Sequence, residues 1–305
     1  MEKKQIASLY LSKYSTLLVV LEQDTNGFNL QYIKKITNIL DLNMPSSDSS
    51  TDAINEIKEI LSQFNINNFF ITLNNDYYIA THIPGSFKEN SSEFIKLVNL
   101  SIQQYYTNKN ITDFKIKTLP VNSTYKTEYV TIIDKEIIFA AENIVAMLDY
   151  ELTDINPTHI SAINSYFYNY IENINNTVIL VRLLDDALGF ILLKEGKILG
   201  IEYCNIEDDN VMSKIIENKL WQIVKNYSVN VDSIYFYGDK LNKKEYLECW
   251  KTGMIITDDS KRLNPLKLIP TNLEGRDKDY CIRMFHMYVT CIGGALPIQV
   301  DMKIC

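Results

Sequence analysis

Two segments of this chain open in the same way, and that repetition limits its possible folds more than any other feature. Residues 5–11 and 15–22 read as strands, Asp24 to Gly27 as a turn, and 28–36 as a third strand with alternating polarity. Residues 177–184 and 188–194 repeat the pair, Glu195-Gly196 supplies a hairpin turn, and 197–204 is again the third strand. Each meander leads into an amphipathic helix pattern. The first carries Ile54, Ile57, Ile60, Leu61 and Phe64 at helical spacing, the second Ile215, Ile216, Leu220, Ile223 and Val224. A duplication of this size predicts two related α/β halves rather than one continuous sheet.

Between and after these units the pattern is mixed. Residues 41–50 form a Ser-rich polar stretch expected to be a mobile loop, with Thr51 or Asp52 capping the helix that follows. Strands are expected at 69–73 and 77–83, then a helix capped by Ser91 or Ser92, strands at 113–121 and 127–133, and a helix over 134–148. Pro157 opens another helix at its first turn. In the second half the expectations are a helix over 207–225, a strand at 233–237 ending in Gly238, a helix from 242 or 243 to 250, a strand at 254–257 and a closing helix over 279–295.

Composition removes several function classes. The chain has 305 residues, a net charge of -8 and no basic stretch, so nucleic acid is not an expected partner. Its longest apolar runs are strand-sized, which predicts no membrane span, and its first residues lack the apolar core of a signal peptide, so a cytoplasmic location is expected. Five scattered cysteines without a Cys-x-x-Cys pair read as reduced thiols, and three isolated histidines offer no zinc-ligand spacing; no metal is expected. Only 10 glycines are present, few for a protein built on glycine-rich phosphate loops.

Two halves that each begin with a β-meander are the plan of the actin-like ATPases, in which nucleotide sits between the halves. The chain resembles the PilM family of type IV pilus assembly proteins, actin-like relatives of the cell-division protein FtsA. The resemblance lies in the hairpin Leu9-Tyr10-Leu11-Ser12-Lys13-Tyr14-Ser15-Thr16-Leu17, in the second hairpin from Arg182 to Gly196, in Leu263-Asn264-Pro265-Leu266, and in the closing Tyr288-Val289-Thr290-Cys291-Ile292-Gly293-Gly294-Ala295-Leu296. It implies an α/β, actin-like (ribonuclease H-like) duplicated fold of two lobes with an inserted α/β subdomain. On this reading residues 1–155 are the first lobe, with the insertion at about 84–150, residues 156–279 are the second, and 280–305 hold a C-terminal helix returning to the first. It also implies a partner: a short cytoplasmic segment of an inner-membrane protein, held beside the inserted subdomain.

The nucleotide chemistry is where the sequence departs from that family. Laid on the first phosphate hairpin, the metal-organising Asp is Tyr10, the Gly is Ser12 and the Lys is Leu17, while Ser15 is retained and Lys13 could meet a phosphate. In the second hairpin the Asp is Arg182 and the Gly is Leu184, and Asp185 or Asp186 can replace the carboxylate only by breaking the spacing to Gly196. The adenosine turn, normally Gly-Gly, keeps Gly238 followed by Asp239. A pseudo-ATPase is expected, with no cofactor; the alternative is an active Mg-ATP-binding ATPase that uses Lys13, Ser15 and Asp185 or Asp186. A small-molecule kinase of the same superfamily would need a catalytic Asp and a sugar-type pocket, for which no motif stands out.

Other acidic groups read blandly: Glu207-Asp208-Asp209 as a helix first turn, Asp258-Asp259-Ser260-Lys261-Arg262 as a solvated loop. Arg182, a charge inside an apolar strand, needs a partner. Asp185, Asp186 or Glu202 is expected to pair with it, the side chain filling the empty cleft. Tyrosine clusters at 77–78, 105–106 and 166–168 lie around the insertion and suit a protein interface. The expected function is a non-catalytic cytoplasmic scaffold, peripheral at the inner membrane through its partner in a type IV pilus, secretion or related envelope machine. Side-by-side association into a homo-oligomer is compatible with that role.

Overall fold

The computed structural model describes residues 3–84, 91–121, 127–184, 187–206, 212–241, 243–297 and 303–304. Its strands are β1 (Lys4–Leu11), β2 (Thr16–Asp24), β3 (Gly27–Lys35), β4 (Ile66–Leu73), β5 (Ile79–Pro84), β6 (Phe114–Val121), β7 (Thr127–Asp134), β8 (Leu152–Pro157), β9 (Thr177–Leu183), β10 (Ala187–Lys194), β11 (Lys197–Asn205), β12 (Ser233–Tyr237), β13 (Ser260–Arg262) and β14 (Lys303–Ile304). The helices are α1 (Asp48–Leu61), α2 (Ser92–Gln103), α3 (Lys135–Met147), α4 (Thr158–Asn169), α5 (Met212–Tyr227), α6 (Lys243–Gly253), α7 (Gly275–Met284) and α8 (Val289–Ala295).

The duplication appears as two sheets of identical plan. One runs β3-β2-β1-β4-β8 and the other β11-β10-β9-β12-β13. In each, three antiparallel strands form the meander, and the first of them pairs in parallel with a later strand. The β10–β11 turn has Glu195 at φ 51° and Gly196 at φ 72°, the left-handed pair that matches strand twist in a two-residue hairpin.

Strand parity decides what each face meets. On β1, Ala7, Leu9 and Leu11 join α1 and α3 in one core, while Ile6 and Tyr10 on the opposite face join α8. On β9, Ile179, Val181 and Leu183 pack with α5 and α6, while Val178 and Leu180 face α4. α4 and α8 therefore lie between the sheets and pack on each other. Their approach is close because both helices carry small residues at the crossing. A Cβ on Gly293 would sit 1.8 Å from the Ser161 carbonyl oxygen of α4; one on Gly294 would sit 2.2 Å from Thr72 Oγ1 of β4, so α8 packs as closely on the first sheet.

A third sheet, β14-β6-β7-β5, is inserted after β4. α2 covers one face through Phe94, Val98 and Ile102. Leu119, Val121 and Tyr129 on the other face share a core with Ile191, Leu193, Ile198 and Ile201 of the second meander. The insertion therefore bridges to the second half, and His82 Nε2 lies 2.7 Å from the Ile201 carbonyl oxygen. Beneath it His159 is buried against Tyr78 and Tyr129; burial lowers its pKa to about 3, so the ring is neutral at physiological pH.

Several sequence expectations are corrected here. The inserted sheet starts at Ile79, not near 84, and α3 packs Ile137, Ala141, Ile144 and Val145 on the first sheet rather than on the insertion. α1 begins at Asp48 because Ser47, not Thr51 or Asp52, accepts from the Ser50 amide. The preceding stretch is tied down: the Asp41 amide donates to Ser50 Oγ, and Tyr77 donates to Asp41. No strand forms at 254–257; the fifth strand of the second sheet is Ser260–Arg262, inside the segment expected to be a solvated loop. The closing helix is two, α7 and α8, separated by a turn of 3-10 helix at Phe285–Met287. Glu207, Asp208 and Asp209 lie outside the described residues.

The α4–α8 crossing has a direct test. Gly293→Ala should lower the unfolding free energy by about 2–4 kcal/mol in urea titration, since backbone must move to admit the methyl group. Gly275→Ala, at φ 53° with nothing near its Cβ, should cost only about 1 kcal/mol.

Candidate functional site

The site follows from where parallel strands end. β1 and β4 finish in register, Leu11 opposite Leu73, so the turn at 12–15 lies beside the turn at 74–76, and the Asn74 amide donates to the Leu11 carbonyl. In the second sheet Arg182 pairs with Tyr237, which brings Gly238 and Asp239 alongside Leu183. The carboxyl ends of both sets of parallel strands face one cleft, the usual position of a site in such sheets.

Parity points Tyr10 and Arg182 into that cleft from opposite sides, and there they meet. Arg182 Nη2 donates to the Tyr10 hydroxyl at 2.7 Å and Nη1 donates to Asn74 Oδ1 at 2.9 Å. Both side chains are closed off from water, at 2% and 1% exposure. Burial opposes the guanidinium charge, but the surrounding tyrosines and Asp239 hold its proton, and its pKa lies above the ordinary arginine value. Burial raises that of Tyr10, which stays a neutral phenol despite the nearby Arg182. Among the described residues Arg182 Nε has no partner. The expected pairing with Glu202 does not form; Glu202 binds Lys219 at 2.6 Å. Asp185 and Asp186 lie outside the described residues.

The first hairpin turn is closed on itself. The Ser12 amide donates to the Ser15 carbonyl, and Ser12 Oγ accepts from the Tyr14 and Ser15 amides at 3.2 and 2.9 Å. The Lys13 amide donates to Asp76 Oδ2 at 3.2 Å, and Asn74 Nδ2 donates to the same oxygen at 2.7 Å. Asn74 thus links Arg182 to Asp76. Ser15 Oγ donates to Asp239 Oδ2 across the cleft at 2.6 Å. Lys13 Nζ lies 3.7 Å from Asp76 Oδ1. In the second hairpin Leu184 is buried and its amide donates to the Ala187 carbonyl. Gly238, at φ 120°, donates its amide to the His286 carbonyl; a Cβ there would meet Leu183 O at 2.2 Å.

Of the positions singled out in the sequence, Tyr10, Ser12, Lys13, Ser15, Arg182, Gly238 and Asp239 are thus gathered into one cleft. Asn74 and Asp76 were missed. They stand in an Asn-Asn-Asp turn directly after the strand expected at 69–73, and only its pairing with β1 brings that turn to the cleft.

Two open spaces flank this cluster. A cavity of about 890 Å³ lies between the end of β3 and α7, lined by Lys34, Lys35, Thr37, Asp239, Tyr280 and Met287 among others. Lys34 is bound there to Glu56 at 2.7 Å. A groove of about 290 Å³ opens beside the insertion, lined by Asn75, Asp76, Tyr78, Tyr105, Tyr106 and Tyr203. Tyr166, by contrast, is core, stacked on Tyr170.

No family model matches the sequence, and none of the curated proteins matches it. Solved structures do. A chain of a PilM-PilN type IV pilus biogenesis complex superposes with a TM-score of 0.67 at 13% identity, over 95% of this chain and 97% of that one. A Bacteroides thetaiotaomicron protein with an actin-like ATPase fold and unknown function superposes at 0.52 with 12% identity, over 87% and 94%. The chain has the actin-like ATPase fold. Its two sheets are the two halves of that fold, and the Arg182 cluster lies in the cleft between them.

Arg182→Ala should lower the unfolding free energy by about 3–5 kcal/mol, because Asn74 and Tyr10 are left buried without their partner. Tyr10→Phe should cost about 1–3 kcal/mol. The double variant should lose clearly less than the sum, read by urea titration of far-UV circular dichroism; additive losses would mean the two side chains share no interaction.

Proposed function

We propose that the protein is a non-catalytic actin-like scaffold, docking from the cytoplasm on a short segment of an inner-membrane partner in a pilus or secretion machine. The observation that carries the non-catalytic part is the closed hairpin. A phosphate loop works by aiming free backbone N–H groups at an anion. Here the amides of Ser12, Lys13, Tyr14 and Ser15 all donate to acceptors within the protein. The space ahead of them holds two carboxylates, Asp76 and Asp239, and a buried guanidinium. An incoming triphosphate would have to break these bonds and meet like charge.

The scaffold part is supported by the likeness to PilM, whose structure was solved with PilN. The tyrosine-lined groove beside the insertion has the chemistry to hold an extended segment: aromatic walls with Asn75 and Asp76 at one end. A second reading, an ATPase with rearranged ligands, is favoured by the cavity of about 890 Å³ next to Asp239, which lies within the usual size range of ligand pockets.

Titration calorimetry with Mg-ATP separates the two. With nucleotide up to about 1 mM, the top of the usual KM range, no saturable heat is expected. Micromolar binding that disappears in Asp185→Ala and Asp186→Ala would instead overturn the proposal in favour of the nucleotide-binding reading.

A further inference from the structure

The chain has two tryptophans, and both stand half out of the protein on the same side of the second sheet. Trp221 on α5 is 48% exposed and Trp250 on α6 is 37% exposed. α5 and α6 pack on each other, and both bury their inner faces in one core through Met212, Ile216, Leu220, Ile223 and Cys249. Their outer faces therefore point the same way. On α5 the spacing of 3.6 residues per turn aligns Lys214, Trp221 and Lys225 in a narrow outward stripe. On α6 it gathers Leu247, Trp250 and Lys251, and Met254 follows just past the helix end, all exposed. Ile255 follows, 53% exposed.

Charge on this helix pair runs against the rest of the protein. α5 carries three lysines against one glutamate, and α6 three lysines against two, a net +3 within a chain of net -8. Glu217 and Glu248 are the acidic groups beside the stripes. Tryptophan favours the boundary between headgroups and acyl chains, where its apolar ring is buried and its N–H stays wet. Lysines beside such rings add attraction to anionic headgroups.

We propose that the α5–α6 face docks peripherally on an anionic lipid surface, with Trp221 and Trp250 entering the headgroup boundary and Lys214, Lys225 and Lys251 meeting lipid phosphates. This face is distinct from the tyrosine-lined groove, so the two contacts can be tested separately. It requires no spanning segment, and among the described residues no helix is long and apolar enough to cross a membrane.

Because the chain has no other tryptophan, tryptophan emission excited selectively over that of its tyrosines reports on this face alone. The full chain is mixed with vesicles of phosphatidylcholine, with or without phosphatidylglycerol, and followed by tryptophan emission and co-sedimentation. Anionic vesicles should shift the emission to the blue, shield it from iodide and sediment the protein; added salt should weaken all three effects. Combining Lys214→Gln, Lys225→Gln and Lys251→Gln leaves both reporters in place and should weaken binding roughly a hundredfold. Three results would overturn the proposal: no sedimentation with anionic vesicles, sedimentation without a change in emission, or equal binding by the triple variant. The first would leave this face to an acidic protein partner.

Discussion

The structure depends on one buried charge. Arg182 leaves the second sheet, crosses the cleft and ends on Tyr10 and Asn74 of the first. A guanidinium removed from water costs several kcal/mol unless its hydrogens are met, so the two halves must stay where those acceptors are. The positions involved are those at which the PilM-like resemblance places metal-organising carboxylates, one in each half. Where two like charges would need a cation between them, a cation and a phenol bond to each other directly. On the reading proposed above, this bond would take the place of the one a nucleotide and its metal supply.

Other contacts are consistent with that fixed arrangement. Ser15 reaches Asp239 across the cleft, and the inserted sheet lays Leu119, Val121 and Tyr129 on the second meander. α4 and α8 cross between the sheets at backbone distance, Gly293 against Ser161, while Gly294 lets α8 lie against Thr72 of β4. Polar anchoring at the cleft and apolar packing on either side restrain the same movement. The scaffold role proposed above would benefit from such rigidity, because a partner would then meet a surface that is already formed.

The duplicated meanders were legible in the sequence because apolar runs and the Glu195-Gly196 turn are local signals. The family resemblance, by laying Tyr10 and Arg182 on the metal-organising positions, assigned both to the cleft. What the sequence hid was non-local. Asn74 and Asp76 sit in a polar turn like many others in an asparagine-rich chain, and only the β1–β4 register brings them to Arg182. β13 is Ser-Lys-Arg, too short and polar for periodicity, and exists through pairing with β12. The corner between α7 and α8 is invisible to an apolar count because His286 and Met287, which form it, are themselves buried. Ser47 was passed over as a cap because the polar residues after it extend the loop pattern into what is the first turn of α1.

The central claim, that the protein itself satisfies the cleft, is tested most directly at the first hairpin. Amide hydrogen exchange of Ser12, Lys13, Tyr14 and Ser15, read by NMR with and without Mg-ATP, reports each bond in turn. The account predicts that all four are protected in the free protein and unchanged by nucleotide. Rapid exchange in the free protein, with protection appearing only when Mg-ATP is added, would contradict it.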